Sequence, residues 1–262
     1  MTNTSSNSRS YSHRAPRLAA ADQVTHIRQL IERNNQKLLE HRYFRLCAST
    51  AITRDQMLEI AKQLYCFSVF FERLLARRIT EYSSDRDPQV LALARTHMRE
   101  EIGHAELFRQ CLEANGVAPD EVLSIAPAMF TKAMFGYLTV TVQHENEYVT
   151  NVAIMQVMES IGYHFFSATL ILMRTHGMLA QAMAEHSESD IEHANLGVEL
   201  IADFDETTMR DCCRTIEDIY RLMPLVFDEW LAASLALRPS ASTVSGVMPV
   251  VASSREGEAS AG

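Results

Sequence analysis

Residues 152–173 read VAIMQVMESIGYHFFSATLILM, and the reading of this stretch decides the fold. Its 22 residues carry one formal charge, Glu159, and are further interrupted by Gln156 and His164. A bilayer-spanning helix needs about 20 apolar residues, so length alone would allow a membrane span. No basic flank and no aromatic belt accompany the run, however. It reads instead as a helix buried inside a soluble bundle. Glu159 is then a carboxylate inside an apolar helix, with no cation on that helix nearer than Arg174.

Working outward, helical signals recur on both sides. Gln23 to Cys47 carries Ile27, Leu30, Ile31 and Leu38 on one stripe. Thr53 and Gln56 form a capping box, with Ile52 and Met57 as its staple, opening a helix that runs to about Tyr82. Asp87 as N-cap and Pro88 in the first turn begin a third helix, ending near Gly116. Pro119 and Pro127 bracket a shorter element. Further helices are expected over about 145–175, 179–202 and 207–237. No window alternates well enough to be a strand. The expected class is all-α, a single-domain helical bundle of about seven helices over residues 22–237. Residues 1–21 and 238–262 are low-complexity tails expected to be disordered.

Composition narrows the function classes. The 262 residues hold 24 Lys and Arg against 33 Asp and Glu, for a net charge of -9. An acidic chain is a poor fit to nucleic acid, whose phosphates need a basic surface. Hydrophobic residues make up 47%, enough for a sizeable core. The five cysteines include no C-x-x-C pair, which excludes a zinc ribbon and suggests no disulfide framework. With no apolar leader in residues 1–21, a reducing cytoplasm is the expected setting.

Four helices place acidic or imidazole groups where an apolar face belongs. They are Glu72, Glu101 with His104, Glu159, and His186 with Asp190 and His193. At about 100° per residue, His186, Asp190 and His193 fall within an arc of about 60°. Glu101 and His104 are also about 60° apart, while Glu100, Glu106, Glu188 and Glu192 point away from those faces. Clustering buried carboxylates costs hydration and adds repulsion. A bound metal removes that cost, and mixed carboxylate and imidazole ligands suit iron or manganese. Di-iron bundles place one Glu on each of two helices and Glu-x-x-His on each of two others. Here the order is Glu72, Glu101-x-x-His104, Glu159, Asp190-x-x-His193, with intervals of 29 and 31 residues from lone Glu to paired acid. Taken singly, each motif has a plainer reading: Glu72 can pair with Arg73 or Arg77, and His186, Asp190 and His193 can form a solvated face.

At these residues the sequence resembles the haem-oxygenase-like di-iron oxidases and oxygenases, relatives of the TenA and PqqC proteins. The resemblance covers about residues 50–200. His186, added to the other ligand positions, favours this family over a ferritin-like bundle. The resemblance implies a ligand set of Glu72, Glu101, His104, Glu159, His186, Asp190 and His193, holding two iron ions that cycle between Fe(II) and Fe(III) with O2 as co-substrate. It departs at His97, which precedes Glu101 by four residues and stands equally as ligand or as hydrogen-bond partner of one. TenA-type thiamin hydrolysis does not fit, because its cysteine motif is missing. The resemblance further implies a small-molecule substrate. N-oxygenation of a small amine or amino acid in natural-product biosynthesis is the leading expectation. Oxidative C–C cleavage or desaturation of a fatty or amino acid is the alternative, and a metal-storage or sensing bundle is the alternative outside enzymes. An external electron donor and a homodimer are both compatible with this reading.

Overall fold

A computed structural model describes residues 20–81, 87–181, 183–184 and 193–236. It is all-helical, and no strand occurs among the described residues. In chain order the helices are α1 (Ala20–Leu39), α2 (Arg42–Ala48), α3 (Arg54–Glu81), α4 (Pro88–Glu101), α5 (His104–Ala114), α6 (Pro119–Ser124), α7 (Met129–His144), α8 (Glu147–Asn151), α9 (Glu159–Thr175) and α10 (Glu206–Leu235). A π-helical stretch, Val152–Met158, joins α8 to α9, and a 3-10 turn, Val198–Asp203, precedes α10. The tails expected at 1–21 and 238–262 lie outside the described residues, apart from Ala20 and Ala21, which open α1.

The capping signals form as read. Thr53 N donates to Gln56 Oε1 at 2.9 Å, and Gln56 N donates back to Thr53 Oγ1 at 3.3 Å. Asp87 caps α4 by accepting from Gln89 N at 2.8 Å. Four helical readings need correction. The helix expected over 179–202 ends, among its described residues, in a turn at 194–197 followed by the 3-10 stretch Val198–Asp203. The first helix breaks at Glu40 and His41, where His41 caps α2 by accepting from Tyr43 N. The third breaks at Ile102 and Gly103. Helix α7 was not expected, because its β-branched Thr-Val-Thr-Val end and weak polar face give no clear helical stripe.

Helix α3 runs through the centre, packed against α4, α5, α7 and α10, and α9 packs against α2 and α1. The core between them is aromatic. Tyr43 stacks on Phe165 and on Phe227, both at 5.2 Å, and its hydroxyl meets Thr169 Oγ1 at 2.6 Å. Trp230 Nε1 donates to Thr131 Oγ1 at 2.9 Å, so its polar edge is satisfied inside the core.

The π-helical stretch is wholly buried and runs directly into Glu159. Such segments are uncommon, and they are frequent at functional sites. The loop after His193 is tied to it. Gln156 Nε2 donates to Leu196 O, and Gly197 lies in the left-handed region at φ +72° against Asn151 and Leu93. A Cβ at 197 would sit 2.8 Å from Leu93 Cδ1 and 2.9 Å from Asn151 Nδ2. Gly197→Ala therefore meets both backbone strain and a clash, and should destabilise the protein by about 2 kcal/mol. Urea denaturation of the variant checks this; an unchanged midpoint would contradict the close approach.

Candidate metal centre

Three of the residues read from sequence as ligands converge with a fourth group. His97 and Glu101 lie on α4, Glu159 opens α9, and His193 precedes the 3-10 turn. One ligand atom from each lies within 4.8 Å of every other, and all four side chains are buried. His97 is 0% exposed, and its Nε2 is 2.9 Å from Glu159 Oε1. His193 Nδ1 lies 3.0 Å from Glu101 Oε1 and 3.7 Å from Glu159 Oε2. The two imidazole rings meet edge to face at 5.2 Å. His97 thus faces the cluster itself.

Glu101 and His104 do not share a helix, so the 60° arc read for them does not exist. Glu101 is the last residue of α4 and His104 the first of α5, separated by Gly103 at φ +100°. The break is held by Glu72, whose Oε1 accepts from Gly103 N and Ala105 N, both at 2.9 Å. Its carboxylate therefore sits at the start of α5, where free amides and the helix dipole favour negative charge. His104 still reaches the cluster, with Nδ1 at 2.9 Å from Glu101 Oε2.

Glu100 was read as solvated and pointing away. It keeps 47% side-chain exposure, yet its Oε2 lies 3.3 Å from His193 Nε2. The 100° count placed it correctly on α4 but could not foresee that His193 would arrive from outside. Glu106 does point outward, ion-paired with Arg109. His186 and Asp190, along with Glu188 and Glu192, lie outside the described residues.

The electrostatics follow from this crowding. Burial works to lower the pKa of His193, but its contacts with Glu101 and Glu159 outweigh that and hold it at about 10. His104 is likewise opposed by burial and raised on balance, chiefly by Glu101. In the metal-free protein, protonated imidazoles offset the buried carboxylates, a role that a cation could take over. The donor set fits iron on that ground: two carboxylates and two imidazoles, buried together, with one further acid and one further imidazole at the margin.

Two members of the cluster, Glu101 and Glu159, line a small cavity of about 50 Å3. Glu72 and His104 line it with them, and Phe67, Ser68, Phe71, Met158, Gly162 and Phe166 make up the remaining described lining. Phe71, Met158, Phe165 and Phe166 line this cavity or its neighbour. Phe70 and Met155 do not. Phe70 borders an outer groove beside Arg73, and Met155 Sδ lies 3.8 Å from the buried Arg78 guanidinium.

The backbone is similar to several solved structures. A Shewanella denitrificans domain of unknown function with a haem-oxygenase-like fold matches at TM-score 0.69, with 16% identity over 87% of this chain and 98% of its own. A TenA homologue from Pseudomonas syringae matches at 0.64, with 12% identity, 85% of this chain and 99% of its own. A CADD-like protein of unknown function from Nostoc punctiforme matches at 0.58, with 15% identity, 80% of this chain and 96% of its own. Identities this low establish the fold alone, and that fold is haem-oxygenase-like. No curated protein matches the sequence. The model of one family, described as iron-containing redox enzymes, does match, over residues 58–223. The chain belongs to that family of iron-containing, haem-oxygenase-like redox enzymes.

Proposed function

We propose that the protein is a non-haem di-iron oxygenase that uses O2 to oxidise a small molecule, N-oxygenating an amine in a natural-product pathway of the cytoplasm. The observation that carries this reading is the buried cluster of His97, Glu101, Glu159 and His193, two of whose carboxylates line a largely apolar cavity. These four would hold one iron; Glu72 and His104, together with His186 and Asp190, would supply a second. Iron so bound would supply the redox chemistry with O2.

The chain's own contribution is positioning and exclusion. Phe67, Phe71, Met158 and Phe166 keep bulk water from the carboxylates, which strengthens every charge interaction inside. The preference for a nitrogen substrate comes from charge. The described lining of the cavity carries three carboxylates and no Lys or Arg, so a basic nitrogen is the head group that it attracts. A carboxylic acid finds no Lys or Arg in that described lining, and the His104 imidazole there is already engaged by Glu101.

The test is anaerobic loading with Fe(II), then admission of O2 with a panel of primary amines, amino acids and carboxylic acids, read by mass spectrometry. An amine that gains one oxygen atom, only with iron present, is the expected outcome. Shortened or desaturated acids would replace N-oxygenation by C–C cleavage or desaturation. Iron oxidation indifferent to every substrate, with iron accumulating beyond two per chain, would make the protein a storage bundle.

A further inference from the structure

A second cavity, also about 50 Å3, abuts the one at the metal centre. The two share Phe67, Met158, Gly162 and Phe166 as a collar. Beyond the collar the far cavity is lined by Leu64, Ile161, Phe165, Met223, Phe227 and Trp230. We infer that the two cavities form one two-lobed channel for a slender alkyl chain, with Gly162 as the residue that sets how far the chain reaches. This rests on reading the Glu and His cluster as the reactive centre, so that the ligand's polar head lies against Glu101 and Glu159.

Helix spacing makes Gly162 the control point. Met158, Glu159, Gly162, Phe165 and Phe166 fall at i, i+3 and i+4 intervals, one stripe at the start of α9. Each of them lines one cavity or both. Gly162 borders both cavities, so a side chain there is placed to stand between the lobes.

Size decides the shape of the ligand. Each lobe is about a third of the roughly 150 Å3 cavity that takes benzene. Rings are excluded, and a chain of single-carbon width fits. Chemistry decides its polarity. The described lining of the far lobe is wholly apolar or aromatic, so no described side chain there is free to satisfy a second polar group. A free amino acid, with two charged groups on adjacent carbons, is thus a poorer fit than a chain with one polar head. Met158 and Met223, being unbranched and adaptable, can follow the contour of such a chain.

Trp230 is the chain's single tryptophan and lines the far lobe, so its emission reports filling of that lobe directly. The experiment titrates the full-length protein with straight-chain primary alcohols, whose neutral head depends on neither metal nor charge. Alcohols long enough to pass the collar should give a saturable change in Trp230 emission. Affinity should improve roughly fourfold per methylene until the far wall is met. Benzyl alcohol should give no saturable change. In Gly162→Leu the response to long alcohols should weaken by at least about tenfold, the equivalent of losing two buried methylenes. Met223→Ala enlarges the far lobe and should move the optimum to longer chains, which keeps the test alive if Gly162→Leu does not fold. Benzyl alcohol binding as well as hexanol, a folded Gly162→Leu responding like the parent, or an unmoved optimum in Met223→Ala would overturn the channel. Iron and oxygen do not enter this titration. A flat response in protein that binds iron counts against the channel alone; chain-length dependence in protein that takes up no iron counts against the oxygenase reading alone.

Discussion

Glu159→Ala is expected to abolish iron-dependent oxygen consumption, with a loss of at least about a hundredfold. Removing the hydrogen-bond partner of a metal ligand typically costs 10–100-fold, so loss of a direct ligand should exceed that range. Glu159 is 4% exposed, holds His97 at 2.9 Å and approaches His193 at 3.7 Å. Alanine would remove one of only two buried carboxylates in the four-residue cluster and leave two imidazoles to repel any cation when protonated. Glu106→Ala is the comparison, because Glu106 pairs outward with Arg109 and is absent from the cluster. It should keep activity within about twofold, as surface changes away from such features are usually small. Equal losses in the two variants, measured by oxygen electrode on protein of matched thermal stability, would show that burial at Glu159 is unconnected with oxygen chemistry.

The second large effect is a pH dependence of the metal-free protein. The pKa of His193 in the folded chain is about 10, above the ordinary 6.5. A raised folded value means that the protonated form is favoured by folding. This stabilisation is fully present below pH 6.5 and is lost as pH rises from there through about 10. At about 1.4 kcal/mol per pKa unit, the rise from 6.5 to about 10 is worth on the order of 5 kcal/mol. Thermal melts of the metal-free protein between pH 6 and 10 should fall steeply, and His193→Gln should flatten that slope. Saturating Fe(II) should flatten it too, because a ligating imidazole has already lost the proton in question. A parent and a His193→Gln variant with parallel pH profiles would rule out the linkage.

Much of the fold was legible because its signals are local. The Thr53–Gln56 box and the Asp87–Pro88 start need only neighbouring residues, and both form. What the sequence hid was non-local. The break between α4 and α5 depends on Glu72, which caps α5 from 31 residues earlier in the chain. The π-helical stretch at 152–158 uses the same apolar residues that an α-helix would, so hydrophobicity alone gave no sign of it. Helix α7 is apolar on too many sides for periodicity to show.

At the site, Glu101, Glu159 and His193 were legible as charged or imidazole groups on apolar faces, and the structure brings them together. His97 was visible only by its place four residues before Glu101. Its role became plain once its complete burial and contact with Glu159 were known. The approach of Glu100 to His193 had no sequence signal, because it joins α4 to a segment that arrives from the far end of the chain.

The central claim, that the buried Glu and His cluster is an iron site, is tested most directly by anaerobic Fe(II) titration of the parent and Glu159→Ala, with bound iron counted per chain. Two irons per parent chain are expected, because the sequence offers more ligands than one ion ordinarily uses, and the variant should retain one at most. A parent that binds no iron, or a folded Glu159→Ala that binds as much as the parent, would contradict it.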